Sequence, residues 1–358
     1  MKQTPLYEFH IESGAKMGAF AGYSMPLFYP LGVMKEHLHT RESAGLFDIS
    51  HMLHVELQGP EAAQLIERLC PYSASSQELG SSRYTFFLTE DAGIVDDLII
   101  TRLGQNRFLV VANAGCAEKD VIHMQSVANG FDAGVTVLPR GFVALQGPSA
   151  EAVLEDCGLL VSDLPFMSGM EPKTGWFVSR SGYTGEDGFE IAMPESDCDA
   201  FARKLLGDER VELIGLGARD SLRLEAGLSL YGQDLDDTIS PHEAGLIWAV
   251  PKPLRIGGAY IGSNVLAQKI DTGRSRMRVG LSPEGKMPVR AGAELQNEAG
   301  EVIGTVTSGG FGPTLERGVA LGLVTVSAAD EPTFADVRGK KIPMQRMKLP
   351  FVPHNYKR

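Results

Sequence analysis

The sequence lacks several features that would each place it in a familiar class of protein. Only four cysteines occur in 358 residues, and none forms a CxxC pair, which excludes a zinc ribbon and a dithiol redox motif. No stretch reaches the roughly 18 consecutive apolar residues that cross a bilayer, and the first thirty residues carry no unbroken apolar run. We therefore expect a protein that is neither secreted nor inserted in a membrane, with reduced thiols.

Positive charge is also scarce. The formal net charge is −12, whereas a nucleic-acid interface needs a concentrated basic surface. The deficit is uneven, because residues 274–358 carry a net charge of +5 and residues 1–273 a net charge of −17. This basic tail (residues 274–358) is either a solvated face that favours solubility or a surface that attracts an acidic partner.

Common catalytic motifs are missing as well. The chain has no GxxxxGK[ST] phosphate loop, no HExxH motif and no GxSxG elbow. Gly215-Leu216-Gly217 lacks the third glycine of a dinucleotide site and indicates only the start of a helix. His51 and His54 have no third ligand at a suitable spacing, so we predict a hydrogen-bonded or exposed role for both and no metal site.

What is present favours an α+β protein of two or three domains. A short apolar segment, Gly-Pro and a helix-like run occur in that order at residues 55–63 and again at 143–151. This echo predicts two related α+β units, although Gly-Pro punctuation can also recur by chance. Other segments predict a helix at 218–226 and strands at 83–89, 94–102, 107–112, 176–180 and 189–193. After residue 274 only short strands and turns follow, which favours a small barrel.

Two adjacent acids, Asp96 and Asp97, interrupt an otherwise apolar strand. Successive side chains on a strand point to opposite faces, so only one of the two can enter a given cleft. A half-buried carboxylate beside a cleft is a candidate for holding or relaying a proton. The spacing alone leaves a structural ion pair as the alternative.

A glycine-rich segment at 182–190 brings several polar residues together around a tight turn. Phe189 and Ile191 should share one face of the following strand, which leaves Glu190 and the small Ala192 on the other. A carboxylate in that position can accept two parallel N–H bonds from the edge of an aminopyrimidinone ring. The alternative is a polar hairpin tip with no ligand.

Arg219 lies near the start of the helix predicted at 218–226, where its positive charge opposes the helix dipole. An anionic partner would compensate for this position. That partner is either an Asp or Glu of the same protein or a carboxylate of a ligand.

Taken together, these segments resemble the aminomethyltransferase (T protein) family of the glycine cleavage system along nearly the whole chain. The motifs that carry the resemblance are Thr4-Pro5-Leu6, Phe47-Asp48-Ile49-Ser50-His51-Met52, Asp96-Asp97-Leu98, residues 182–188, residues 218–227, Leu230-Tyr231-Gly232-Gln233-Asp234 and Pro350-Phe351-Val352-Pro353. Each motif alone is weakly specific, and their order along the chain makes the resemblance strong.

The resemblance implies a three-domain cloverleaf around a central tetrahydrofolate cleft. Domain 1 would comprise residues 1–50 and 138–250, a ferredoxin-like domain 2 residues 51–137, and a linker with a barrel-like domain 3 residues 251–358. Asp97 matches the catalytic aspartate of the family and Glu190 the acid that holds the pterin. The remaining residues that match folate- or substrate-binding positions are Tyr183, Arg219, Tyr356, Met52 and Tyr84.

The implied reaction transfers the methylene carbon of an aminomethyl group from the lipoyl arm of the glycine cleavage H protein to tetrahydrofolate. Folate and the lipoylated carrier are the expected partners, with no metal, nucleic acid or membrane. We expect a bacterial cytoplasm or, as the second choice, a mitochondrial matrix, because no leader is visible. The alternatives are a folate-dependent demethylase of a small methylated amine or sulfur compound, and a non-catalytic folate-binding maturation protein, although its Lys-Gly-Cys signature is absent.

Overall fold

The computed structural model describes residues 1–285, 287–329 and 331–358. The α-helices in these ranges are α1 (Tyr7–Glu12), α2 (Val33–Glu42), α3 (Ala62–Leu69), α4 (Ala117–Ala128), α5 (Ala150–Asp156), α6 (Glu195–Leu206), α7 (Leu216–Glu225) and α8 (Ser263–Thr272). Short 3-10 helices lie at Ala74–Ser76, Ala114–Cys116, Ile247–Ala249, Lys252–Ile256 and Val326–Ala328. None of the helices in the described ranges is long and apolar enough to span a bilayer.

The strands are interspersed with these helices as far as α8, and no α-helix follows α8 in the described ranges. They are β1 (Lys16–Phe20), β2 (Tyr23–Phe28), β3 (Ala44–Asp48), β4 (Leu53–Gln58), β5 (Ser82–Leu88), β6 (Ile94–Gly104), β7 (Arg107–Ala112), β8 (Gly134–Val137), β9 (Gly141–Gln146), β10 (Ser168–Met170), β11 (Phe177–Arg180), β12 (Gly188–Met193), β13 (Val211–Leu213), β14 (Arg276–Pro283), β15 (Glu294–Gln296), β16 (Val302–Gly312), β17 (Arg317–Thr325), β18 (Thr333–Val337) and β19 (Lys340–Met347).

Two open sheets and one barrel organise the chain. The six-stranded sheet has the order β10-β11-β12-β9-β3-β13, and the five-stranded sheet has the order β5-β6-β7-β4-β8. A closed barrel, β14-β17-β16-β15-β18-β19, contains the strands of the basic tail, and β1 and β2 form a separate hairpin. The predicted α+β class with a C-terminal barrel is confirmed. The division into domains at residues 50, 137 and 250 stays a prediction.

The repeated Gly-Pro segment is a strand followed by a helix in both copies, β4 to α3 and β9 to α5. Gly59 and Gly147 have φ of 148° and 126°, a region that favours glycine. A Cβ atom would also lie only 2.4 Å from the Asp132 carbonyl oxygen at Gly59, and 2.2 Å from that of Ser43 at Gly147. The missing N–H of proline suits the first turn of a helix, and the sequence therefore predicts Pro60 and Pro148 there. That prediction is wrong, because each proline lies two residues before its helix, next to the N-cap residue.

The centre of the six-stranded sheet is buried on both faces. On β9, Val143 and Leu145 pack into one core, whereas Phe142 and Ala144 join Val111 of β7 in a second core between the two sheets. This double burial explains why residues 142–145 of β9 are all apolar instead of alternating. Because apolar contacts fix β7 and β12 against each other, polar side chains at their ends have defined positions.

A buried ion pair connects the six-stranded region to the barrel. The Arg223 guanidinium on α7 donates to Asp234 at 2.9 Å and to Ser308 of β16 at 2.9 Å. Thr307 also donates to the second oxygen of Asp234 at 2.5 Å. These bonds give Asp234, the last residue of the motif at 230–234, a structural role.

Candidate functional site

Asp97 lies on β6, which pairs with β5 on one side and β7 on the other. The alternation of the strand separates the two acids as predicted. Asp96 is completely buried, with 0% of its surface exposed, whereas Asp97 is half-buried on the opposite face. Tyr84 stands two residues from Phe86, the cross-strand partner of Asp97, and therefore shares the face of Asp97.

Two neighbouring side chains orient the Asp97 carboxylate. The Tyr84 hydroxyl donates to Asp97 Oδ2 at 2.9 Å, and Asn113 Nδ2 donates to Asp97 Oδ1 at 3.0 Å. Sequence reasoning missed Asn113, which follows the last residue of β7. The antiparallel register, in which Ile99 faces Val111, places Asn113 directly opposite Asp97, and this register is a property of the folded sheet that the sequence alone did not give.

Burial, followed by the neighbouring charge of Asp96, raises the pKa of Asp97 from 3.8 to about 7, although the Tyr84 and Asn113 hydrogen bonds oppose this rise. Neither acid forms an ion pair with any residue that the structure describes, so the alternative of a structural ion pair is wrong. A carboxyl group with these properties exchanges a proton close to neutral pH.

Glu190 lies on β12, between β11 and β9. Phe189 and Ile191 pack into the core on one face, as predicted, and the Glu190 side chain points to the other with 8% of its surface exposed. The Ser181 hydroxyl donates to Glu190 Oε2 at 2.6 Å. Burial raises the pKa of Glu190, whereas that hydrogen bond and the charge of Arg219 lower it. One carboxylate oxygen is left for a ligand.

Arg219 is the fourth residue of α7. Its guanidinium stacks over the Tyr183 ring, 4.8 Å from the ring centroid. No ion pair or hydrogen bond of Arg219 is present in the described part of the chain, so the internal acidic partner is not found. Burial lowers its pKa and the charge of Glu190 opposes that change. Four residues later on the same helix, Arg223 is paired with Asp220 and Asp234, so Arg219 is the arginine of α7 that is available to an anion.

Tyr183 joins these groups into one region. Its hydroxyl donates to the Ser229 carbonyl oxygen at 2.5 Å. Burial raises the pKa of Tyr183, and both the negative charge of Asp97 and the positive charge of Arg219 act on it. The structure therefore brings together five of the residues predicted for the site, namely Asp97, Tyr84, Tyr183, Arg219 and Glu190.

The two remaining predicted residues have different surroundings. Met52 packs against the apolar core between the sheets, which also contains Ala192 and Ala218, the neighbours of Ile191 and Arg219. Tyr356 stacks on Phe166 with ring centroids 4.2 Å apart and lies 4.8 Å from the His354 ring. The ring contacts of Tyr356 are thus with residues outside the group of five.

The other acids of the glycine-rich segment have a structural role. Arg41 donates to Glu186 at 2.9 Å, and Arg180 forms an ion pair with Asp187. Thr184 donates to Gln146. Tyr183 and Glu190 remain directed to the site, so the alternative of a polar hairpin tip describes three of the five polar residues of this segment.

Trp248 is a second residue that sequence reasoning missed. Its indole stacks on Tyr84 with centroids 5.6 Å apart and an interplanar angle of 18°, and 64% of its surface is exposed. It is one of only two tryptophans, but its neighbours in sequence gave no signal. An exposed ring against the tyrosine that orients Asp97 marks the outer edge of the site.

His51 and His54, for which the sequence predicted no metal site, lie in the apolar interior. Burial lowers the pKa of His51 to about 4 and of His54 to about 3. Both rings are buried and pack edge-on against aromatic rings, those of Phe20 and Phe142. Nδ1 of His51 and Nε2 of His54 have no hydrogen-bond partner among the described residues, so the predicted hydrogen-bonded or exposed role is wrong.

Comparison with known proteins identifies the family of the chain. The GCVT N-terminal domain family matches residues 6–253, and the glycine cleavage T-protein C-terminal barrel domain family matches residues 276–353. The mitochondrial aminomethyltransferases of Flaveria pringlei and Homo sapiens are each 40% identical, covering 99% of this chain and 91% of the relative. The crystal structure of aminomethyltransferase T from Bartonella henselae is 52% identical, with a TM-score of 0.98 over 100% of this chain and 99% of that one. The chain belongs to the aminomethyltransferase family, the T proteins of the glycine cleavage system.

Proposed function

We propose that this protein transfers the methylene carbon of an aminomethyl group from the dihydrolipoyl arm of a glycine cleavage H protein to tetrahydrofolate. The carbon loses its bonds to sulfur and to the amino nitrogen and gains bonds to two folate nitrogens. Of the two protons released by folate, one passes to the thiolate and the other to the departing amino group, which leaves as ammonia. The products are 5,10-methylenetetrahydrofolate, ammonia and the dihydrolipoyl carrier. The observation that carries the proposal is the half-buried Asp97 carboxylate, held by two hydrogen bonds, together with an unpaired arginine, Arg219, stacked on Tyr183 in the same region.

Asp97 accepts or returns the proton of a folate nitrogen during this step. Its pKa of about 7 divides its population between the two protonation states near neutral pH, which suits transfer in both directions. Tyr84 and Asn113 hold the carboxylate in one orientation and so reduce the entropy cost of aligning it with the folate.

Glu190 and Arg219 supply opposite charges for a folate. The free carboxylate oxygen of Glu190 can accept N–H groups from the aminopyrimidinone edge, which bears donors and is flat. Arg219 can bind an anionic group of the ligand, because no internal acid occupies its guanidinium. Tyr183 keeps the guanidinium in place by stacking beneath it.

The basic tail attracts an acidic partner in this proposal, either the lipoyl carrier or the polyglutamate chain of folate. Arg338, Lys340, Lys341 and Lys348 are exposed on or next to the barrel strands β18 and β19. Opposite charges accelerate encounter, and salt screens that effect beyond roughly 8 Å at physiological ionic strength. Replacing the four side chains by Gln should flatten the dependence of kcat/KM on ionic strength. An unchanged salt dependence for both carrier and folate polyglutamate would contradict the docking role.

The central experiment supplies purified protein with tetrahydrofolate and an aminomethylated lipoyl H protein, and measures ammonia and methylenetetrahydrofolate. Asp97→Asn should lower kcat by at least ~10²-fold, because an amide accepts no proton at this pH. Asp91→Asn, which changes an exposed acid of the turn before β6, is the matched control and should retain full turnover. Full turnover in Asp97→Asn would remove Asp97 from the mechanism.

The same assay separates the two alternatives. Product formed from a small methylated amine or sulfur compound, with no carrier protein, would identify a demethylase. Tight folate binding without turnover of any donor would identify a folate-binding maturation protein.

The proposed compartment is a bacterial cytoplasm. Its support is the 52% identity to the Bartonella henselae protein, compared with 40% to the mitochondrial relatives. Immunoblotting of cell fractions from the source organism would test it.

A further inference from the structure

A second buried acid lies directly behind Asp97. Asp120, in the first turn of α4, is 0% exposed, as is Asp96 on β6. One carboxylate oxygen from each of these acids and the sulfur of Cys116 all lie within 4.8 Å of one another. Two carboxylates this close and this well buried cannot both be ionised unless a cation separates them.

The hydrogen bonds of the two acids are very unequal. Asp96 accepts the backbone N–H of Asn113 at 3.1 Å and its side-chain amide at 2.9 Å. The carboxylate oxygens of Asp120 have no hydrogen-bond partner among the described residues when the group is treated as ionised. A proton on Asp120 removes this deficit, because the resulting O–H can donate to Asp96.

We propose that Asp120 is a positioning residue for Asp97. Its carboxyl group is protonated and donates a hydrogen bond to the Asp96 carboxylate. The two acids behind Asp97 therefore carry one negative charge instead of two. The inference rests on the proposed function, in which Asp97 exchanges a proton with folate. Asn113 connects the pair to the site, since its side-chain amide donates to both Asp96 and Asp97.

The groups that surround Asp120 act in both directions. Burial, followed by the charge of Asp96, raises the pKa of Asp120 to about 9, with a smaller contribution from Asp97, and the Lys119 ammonium opposes the rise. The first turn of α4 also favours an ionised acid through the helix dipole. Burial raises the pKa of the nearby thiols of Cys116 and Cys70, so neither adds a negative charge at neutral pH. Tyr231 accepts a hydrogen bond from Lys119 and holds that cation at the edge of the cluster.

The shared proton explains how Asp97 can ionise at all near neutral pH. A second negative charge on Asp120 would add to that of Asp96 and hold Asp97 in its protonated form. Asp97 would then be unable to accept a proton from folate. The pair therefore sets the pH below which kcat/KM falls, the acid limb of its pH profile, although neither member contacts the substrate.

The test compares two isosteric variants in the dependence of kcat/KM on pH. Asp120→Asn imitates the protonated acid, since the amide N–H still donates to Asp96 and the charge does not change. We expect its acid limb to stay within ~0.3 pH unit of wild type, with kcat/KM within about threefold. Asp96→Asn removes the neighbouring charge and should move the limb down by ~1 unit. If the acid limb of Asp120→Asn moves to lower pH by as much as that of Asp96→Asn, Asp120 is ionised in the wild type and the proposal is overturned.

Infrared spectroscopy supplies a second measurement that needs no turnover. At pH 8 the difference spectrum of wild type minus Asp120→Asn should contain the C=O stretch of one protonated carboxyl group, shifted in protein with ¹³C-labelled aspartate. Its absence would overturn the proposal even if Asp96→Asn does not fold. Because this band does not depend on catalysis, failure of the inference can be told apart from failure of the proposed function, which Asp97→Asn tests.

Discussion

The hydrogen bond from Tyr84 to Asp97 should determine the pH at which the enzyme becomes active. The Tyr84 hydroxyl donates to the carboxylate at 2.9 Å and so stabilises its ionised form. Replacing Tyr84 by Phe removes this donor and leaves the ring stacked on Trp248. The perturbation is therefore confined to one hydroxyl group next to the proposed proton acceptor.

The magnitude follows from the energy of a hydrogen bond to a charged group. Such a bond contributes roughly 1.5–3 kcal/mol, and one pKa unit corresponds to about 1.36 kcal/mol. The pKa of Asp97, raised to about 7 by burial and the charge of Asp96, should therefore rise by a further ~1–2 units in Tyr84→Phe. At pH 7 the ionised fraction then falls about 5- to 50-fold, and kcat/KM falls with it.

The assay is kcat/KM for tetrahydrofolate from pH 5.5 to about 9.5, because this parameter reports the ionisation of the free enzyme. Activity in Tyr84→Phe should recover at high pH, which loss of folding or of folate binding would not allow. Tyr72→Phe is the matched control, since its hydroxyl bonds to Gln77 in the core beneath the same sheet. An acid limb in Tyr84→Phe at the wild-type pH would refute the assignment of that limb to Asp97.

Three further predictions follow from the same contacts. Glu190→Gln should weaken folate binding about 10- to 100-fold in calorimetry, because an amide donor would face a donor edge; equal affinity would contradict its role. Arg219→Met should weaken folate binding to a similar extent without lowering the melting temperature, whereas Arg223→Met should cost about 3–5 kcal/mol of stability by leaving Asp234 buried and unpaired. In denaturant unfolding, the free energy of unfolding of Asp97→Asn should equal that of wild type at pH 4 and exceed it by at most ~4 kcal/mol at pH 8. The reason is that the pKa of Asp97 is about 7 in the folded state and 3.8 in the unfolded state, so the wild type loses stability as the pH rises between these values.

Local rules were enough to identify the elements that carry the site. Strand alternation separated Asp96 from Asp97 and placed Glu190 opposite Phe189, and both assignments hold in the structure. The unfavourable position of Arg219 in its helix was itself a signal, because a charge placed against the dipole needs a partner. These inferences depend on residues only a few positions apart.

Contacts between distant segments were beyond such rules. Asn113 reaches Asp97 only because β6 and β7 pair in one register, and Trp248 reaches Tyr84 across more than 160 residues of chain. The segment 182–190 offered three acids, and nothing in its sequence told which of them would meet an arginine from elsewhere. Predicting these contacts requires the tertiary packing, which no periodicity encodes.

Pairing separates the charges of the site from the most deeply buried arginines. The two arginines that are only 1% exposed among the described residues meet acids, in the pairs Arg223–Asp234 and Arg180–Asp187. At the site, Asp97 and Arg219 are kept apart from such partners in the described chain, although burial disfavours the charged form of each. A fold that places two opposite charges in one region without pairing them keeps both available, and a ligand that carries both a proton-bearing nitrogen and an anionic group satisfies them together. Folate has that distribution of groups, whereas a small methylated amine would leave the guanidinium of Arg219 without an anion.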